Sequence, residues 1–202
     1  MNRLNRFRAP LPAPPLGRRF GCLLGMLLAG AAVGVLAKWA DFSDLQLLGD
    51  MFSELPVWIL LGLLIARFSG SPGRAAAYAF AFFVAMIPAY YLAAEWMGGV
   101  WGMAFVCGWT AVACLSPLAA YTVWYAFGRG WLPNLMSTLA VAAALLSDVA
   151  VFRSFNFRDI VLALLCALLV FACKAPKQLR TVKQRPEIDT KGNNKEQYNK
   201  MD

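Results

Sequence analysis

Two carboxylates interrupt long apolar stretches of this sequence, and they are the residues best suited to carry chemistry. Glu95 closes the stretch that begins at Arg74, and Asp148 lies in the stretch that begins at Trp131. An ionised carboxylate costs about 2.5–3.5 kcal/mol at the centre of a membrane helix, so such residues usually face a cavity or a partner charge. Helical spacing places Tyr91 one turn before Glu95. A polar pocket between helices is one interpretation of this pattern.

The hypothesis is an outward-facing pocket that binds a small solute. Its lining residues are Tyr91, Glu95 and Asp148, with Asp50 or Glu54 at the rim. In the alternative, the acids only reach the membrane interface and pair with basic residues on the same side of the membrane. The candidates for that pairing are Lys38, Arg153 and Arg158. The sequence leaves both interpretations open.

Several classes of catalytic and metal site find no support. The chain has no histidine, which excludes His-based zinc sites, serine–histidine triads and histidine proton relays. Its five cysteines lie in apolar stretches without a C-x-x-C pair, so neither a disulfide framework nor a metal site is indicated. No Walker A, G-x-S-x-G or H-E-x-x-H motif is present. We expect no cofactor, no metal and no enzyme, the alternative being a membrane-embedded enzyme without a recognisable motif.

The composition is typical of a membrane protein. Hydrophobic residues make up 60% of the 202 residues and charged residues 15%, in apolar blocks too long for a soluble protein of this size to bury. We expect an all-α fold, a polytopic membrane bundle of six transmembrane helices. The predicted spans are 20–39, 54–68, 75–97, 100–127, 131–152 and 160–173. A short amphipathic segment at about 42–53 would lead into the second span.

The two ends of the chain are basic. Residues 1–19 are predicted to be a disordered, Pro-rich leader, and residues 174–202 a disordered tail. Six spans would place 16 of the 19 Lys and Arg residues on one side of the membrane and three on the other. This bias predicts that both termini are cytoplasmic and that the protein lies in the cell (cytoplasmic) membrane. The net charge of +8 is therefore a topology signal, and no nucleic-acid partner is expected.

The first predicted span carries small residues at intervals of four. They are Gly21, Gly25 and Ala29, with Gly30 and Gly34 as a second pair. This spacing lets the backbones of two membrane helices approach closely. The contact would be made either by another helix of the same bundle or by a membrane protein partner.

Two resemblances extend this interpretation. The run Pro56-Val57-Trp58, the following Ser-Pro loop, Ala75-Ala76 and Ala89-Tyr90-Tyr91 is similar to an uncharacterised family of small bacterial multi-span proteins. That resemblance implies an integral protein of a bacterial cytoplasmic membrane. The six spans, small-residue first helix and outer polar residues resemble the substrate-binding subunits of energy-coupling-factor vitamin transporters. In that family the first helix docks a transmembrane coupling subunit and the ligand binds near the outer face, which implies docking through the small residues of the first span.

We therefore expect a membrane protein, embedded in the lipid bilayer, that binds or transports a small solute from an outward-facing site. A protein of a different class is the alternative: a non-transporting scaffold or assembly protein whose spans recruit other membrane proteins.

Overall fold

The computed structural model describes residues 3–43, 49, 51–52, 54–152 and 156–174, which form helices joined by short connections. A short 3₁₀ helix at Arg3–Arg6 precedes α1 (Leu16–Phe42), α2 (Leu55–Phe68), α3 (Pro72–Trp96), α4 (Met103–Ala126), α5 (Trp131–Phe152) and α6 (Phe157–Ala172). The predicted all-α fold is confirmed, and the six helices match the predicted segments to within four residues at each end. Most of the predicted amphipathic segment and nearly all of the tail lie outside the described residues.

The surface of the bundle exposes many large apolar side chains. Among the described residues, three helices, α1, α3 and α4, are long and apolar enough to cross a membrane. Leu118 and Leu164 are 66% and 64% exposed on the outside, whereas fully buried positions such as Ala66 and Ala144 carry small side chains. The buried positions also include large rings such as Trp124 and Phe127. Exposed large apolar residues, with small residues at close helix contacts, are typical of helices that pack together in lipid. These features indicate a helical membrane protein.

The short helix α2 is at the centre of the bundle. It contacts α3, α4, α5 and α6, whereas α1 packs chiefly against α3. A proline at the start of α2 fits the first turn of a helix, where no backbone N–H is needed. The residue before this helix, Glu54, is buried and forms an ion pair with Arg158 at 2.7 Å. This pair joins the beginning of α2 to the beginning of α6.

Two glycines bring α1 and α3 together as parallel neighbours. A Cβ atom on Gly30 would overlap the carbonyl group of Phe82, and one on Gly34 would overlap that of Met86. The contact advances by one turn on each helix, so the two helices run in the same direction. Only glycine permits this separation, because any side chain would meet backbone atoms.

The predicted stripe of small residues is therefore divided. Gly30 and Gly34 pack inside the bundle. A Cβ atom on Gly21 or on Gly25 would meet no other atom within 4 Å, and Ala29 is exposed. Packing within the bundle, one of the two alternatives for this stripe, accounts for the second glycine pair only.

The described part of the leader, residues 3–15, contacts the bundle, whereas its composition predicts disorder. The Arg8 guanidinium donates hydrogen bonds to four carbonyl groups, those of Ala66 (3.5 Å), Arg67 (3.0 Å), Ser69 (3.3 Å) and Trp124 (2.8 Å). It also lies 4.1 Å from the ring centroid of Trp124. The last carbonyls of a helix lack donors within the helix, so Arg8 supplies donors for the ends of α2 and α4. Burial and the neighbouring Arg67 lower the pKa of Arg8 to about 10, which leaves the group charged at neutral pH.

Other contacts at this end hold the leader and the last helix in place. The Leu11 N–H donates to the Gly70 carbonyl at 2.7 Å. The Lys174 ammonium, just after α6, donates to the Ala126 carbonyl at 2.6 Å. We refer to this end of the bundle, where α2, α4 and α6 finish, as the leader end. The opposite end is where α1 and α3 finish.

We expect Gly30→Ala and Gly34→Ala to destabilise the fold, because each added methyl group would force α1 away from α3. Overpacking of this kind costs about 1–3 kcal/mol. Gly25→Ala is the matched control, since it lies in the same helix with open space around it. Thermal unfolding in detergent, followed by tryptophan fluorescence, should show a lower midpoint for the first two variants only. Equal midpoints for all three would contradict the close contact.

Candidate functional site

One turn beyond Gly34, α1 presents a lysine to α3. Lys38 is only 8% exposed, and its Nζ lies 2.8 Å from Asp41 Oδ2 and 5.5 Å from the ring centroid of Tyr90. The Tyr90 hydroxyl donates to the same Asp41 oxygen at 3.3 Å. Because the glycine contact fixes α1 against α3, these three side chains form one group at the end opposite the leader. We refer to it as the Lys38–Asp41–Tyr90 cluster.

The loop after α3 brings an indole ring to the same region. Gly98 has a φ of +70°, a left-handed conformation that favours glycine. The turn ends α3 and returns the chain so that the ring centroid of Trp101 lies 5.5 Å from that of Tyr91. The Trp101 indole N–H donates to the Glu95 carboxylate at 3.1 Å. Glu95 thus positions Trp101 against Tyr91.

A second group of aromatic residues comes from the beginning of α2 and from α4. The ring centroids of Trp58 and Trp109 are 6.1 Å apart, and those of Trp58 and Phe52 are 5.9 Å apart. The Trp58 indole N–H donates to the Phe52 carbonyl at 3.0 Å. The Trp58–Trp109 pair is edge-on, whereas the Trp58–Phe52 pair is tilted. Edge-on aromatic pairs contribute about 0.5–1.5 kcal/mol beyond the area that they bury, so Trp58 and Trp109 are held in defined positions.

These elements line an open cavity of about 280 Å³. Lysine, aspartate and tyrosine groups line it together with a larger number of aromatic rings; the residues that matter most are Lys38, Asp41, Trp58, Tyr90, Tyr91, Trp101 and Trp109. A concave site with mostly apolar walls and a few polar groups is typical of small-molecule binding. The aromatic faces suit an apolar, ring-shaped or cationic group, and the cluster can orient a polar group by hydrogen bonds.

The structure brings two of the predicted site residues to this cavity. Tyr91 lines it, and Glu95 lies at its edge through the hydrogen bond to Trp101. Glu54 does not line it, because its carboxylate pairs with Arg158, one of the basic residues that the alternative interpretation names. Asp50 and the side chain of Asp148 lie outside the described part of the chain.

The Lys38–Asp41–Tyr90 cluster was not predicted as part of the pocket. From the sequence, Lys38 is expected only as a counterion, and Asp41 is not among the predicted site residues. Their three-residue spacing at the end of an apolar helix was the available signal, because i, i+3 side chains share a helix face. The tryptophans Trp58 and Trp109 carried no signal, since isolated aromatic residues in apolar stretches usually serve as packing.

Within the described residues, no three His, Cys, Asp or Glu side chains are placed to hold a metal ion together. The polar and aromatic groups around the cavity include one ammonium, one carboxylate, two phenols and three indoles. Comparisons with protein-family models, with curated proteins and with solved structures found no match to the chain.

We expect Asp41→Ala to destabilise the protein more than Lys38→Met does. Removing the carboxylate leaves a buried ammonium without its partner, whereas Asp41, with 37% of its side chain exposed, can be solvated when Lys38 is lost. Partial exposure reduces the expected cost of Asp41→Ala to about 1–2 kcal/mol.

The double variant Lys38→Met/Asp41→Ala should recover part of that loss, which a double-mutant cycle of unfolding midpoints in detergent would measure. Glu95→Ala is the control, because that acid is exposed and its removal leaves no buried charge. If the effects of the two single substitutions on the unfolding midpoint are additive, the ion pair contributes nothing to stability.

Proposed function

We propose that the protein is a six-span protein of the cytoplasmic membrane that binds a small solute in the cavity, on the side away from the cytoplasm. The observation that carries this proposal is the cavity itself. It combines a buried lysine, paired with a partly exposed aspartate, with at least five aromatic rings at one end of an apolar bundle. A polar cluster of this kind is costly in a membrane and is usually retained for a ligand or an ion pathway.

The distribution of charge supports the proposed sidedness. The leader end carries Arg8, Arg67, Arg74 and Lys174, all of which make contacts there with the leader or with helix ends. The acids Asp41, Glu54 and Glu95 lie at the other end of the bundle. Basic residues are retained preferentially on the cytoplasmic side, so the leader end is proposed to face the cytoplasm and the cavity to face outward.

The cavity limits the size and the chemistry of the solute. A volume of about 280 Å³ lies near the lower limit of the usual range for ligand pockets, about 300–1,000 Å³, and suits one small organic molecule. The aromatic walls favour a solute with an apolar, ring-shaped or cationic body. The Lys38–Asp41–Tyr90 cluster favours a polar group at one end of that solute. Transport of the bound molecule, alone or with a coupling partner, is the extension of this proposal.

The alternative function is a membrane scaffold that recruits another membrane protein. The outward face of α1 favours it, because Gly21, Gly25 and Ala29 leave that face open to a second helix. The two functions differ in which residues matter: the cavity residues for solute binding and the outer face of α1 for recruitment.

Solute binding should be detected by a thermal-shift screen of small organic solutes against the full chain in detergent. For any solute that raises the unfolding midpoint, we expect Tyr91→Ala and Asp41→Asn each to weaken binding about tenfold or more, because they remove a cavity wall and a charged hydrogen-bond acceptor. Trp96→Ala is the matched control, since Trp96 is 95% exposed and does not line the cavity.

If both cavity variants bind the solute as strongly as the wild-type protein does, the binding site lies outside the cavity. If no solute stabilises the protein, while substitution of Gly25 by a large residue abolishes capture of a membrane partner, the scaffold function would replace solute binding.

Reporter fusions should test the sidedness independently. We expect a reporter inserted at Gly70 or fused to the C-terminus to give a cytoplasmic signal, and one inserted at Gly99 to give a signal from the opposite side. Positive-inside topology is the physical reason. A non-cytoplasmic signal from the C-terminus would contradict six spans with both termini inside.

A further inference from the structure

The leader end holds two adjacent guanidinium groups. Arg8 and Arg67 both lie over the ring of Phe127, at 5.7 Å and 6.0 Å from its centroid. Arg8 is fixed there by hydrogen bonds to backbone carbonyls. Burial and the positive charge of Arg67 both lower the pKa of Arg8. Carbonyl groups satisfy hydrogen bonds but do not neutralise two positive charges.

Arg67 is only partly satisfied in this arrangement. Its Nε is buried and has no hydrogen-bond partner among the described residues. A buried donor of this kind costs about 1–3 kcal/mol unless another group accepts its hydrogen bond, more when the donor is charged. A water molecule would accept the hydrogen bond but would leave the net charge of the pair unchanged. An anion satisfies both requirements.

The described part of the chain supplies no carboxylate to this end. Its acids are Asp41, Glu54, Glu95 and Asp159, together with Asp148, and all of these lie at the ends of helices remote from the leader. The remaining acids that could reach Arg67 belong to the tail beyond Lys174. The counter-anion is therefore either a bound ion or a segment of that tail.

We propose that Arg67, with Arg8 beside it, binds a phosphate group at the leader end of the bundle. The planar guanidinium matches the geometry of phosphate oxygens, and Arg67 can offer the Nε–H together with a terminal N–H to the same anion. The source is an anionic phospholipid or free phosphate. Phe68, the next residue, is 80% exposed and apolar, so the acyl chains of a phospholipid would find an apolar surface next to the headgroup.

The test uses the full chain, purified in a nonionic detergent and titrated with phosphatidylglycerol, with phosphatidylcholine of the same acyl chains, or with inorganic phosphate. Unfolding midpoints and native mass spectrometry report binding. We expect phosphatidylglycerol to bind about tenfold more tightly than phosphatidylcholine, and Arg67→Gln to abolish that preference. Arg129→Gln is the matched control, because it removes an exposed positive charge from the same end; it should keep the preference.

The comparison between lipid and phosphate identifies the source. Stabilisation by inorganic phosphate alone, lost in Arg67→Gln, would support the phosphate site with the free ion as its ligand. If Arg67→Gln does not fold, Arg67→Lys takes its place. We expect this variant to show a reduced preference for phosphatidylglycerol, because a lysine keeps the charge without the paired donors.

Three results would overturn the proposal. The first is equal binding of the two lipids by the wild-type protein, with no effect of phosphate. The second is a preference for phosphatidylglycerol that survives Arg67→Gln. The third is a preference that appears only when the tail acids are neutralised in the full chain, by Glu187→Gln, Asp189→Asn, Glu196→Gln and Asp202→Asn. That result would assign the site to the tail of the chain itself.

Discussion

The close approach of α1 to α3 at Gly30 and Gly34 is the contact on which the cavity depends. Without side chains at these positions, the two backbones meet at the carbonyl groups of Phe82 and Met86. A contact between backbones leaves little freedom to slide, so the register of the two helices is fixed. One turn further along, that register places Lys38 against the ring of Tyr90. The polar cluster is thus a consequence of the glycine contact.

The end of α2 explains a second set of contacts. The fourteen residues of this helix are followed by the buried Ser69. The last carbonyls of a helix lack donors within the helix, and a buried carbonyl without a donor is costly. Arg8 supplies the missing donors. The composition of the leader is typical of disorder. Its described residues nevertheless contact the bundle, because Arg8 satisfies carbonyls at the end of the central helix.

How far the sequence predicts this molecule depends on the range of the interactions involved. Six apolar blocks predict six helices, because hydrophobicity and length are properties of each segment alone. Gly30 and Gly34 could be recognised as packing residues, but their separation from Gly21 and Gly25 depends on which face of α1 meets α3. The roles of Trp58 and Trp109 could not be predicted, because their contact joins two helices that are distant in the sequence. The order of the leader also depends on distant residues, since the acceptors of Arg8 lie on α2 and α4.

Two ion pairs at the end opposite the leader illustrate why charge alone does not identify a site. The Glu54 side chain is 9% exposed and pairs with Arg158, so this pair joins α2 to α6 and is closed to a solute. The Asp41 side chain is 37% exposed and pairs with Lys38 on the wall of the cavity. Its carboxylate also accepts a hydrogen bond from Tyr90. A solute that enters the cavity can therefore replace one of the contacts within the cluster without leaving the buried Lys38 charge unpaired. Access, and not the presence of an acid in an apolar stretch, therefore distinguishes the candidate binding pair from the structural one.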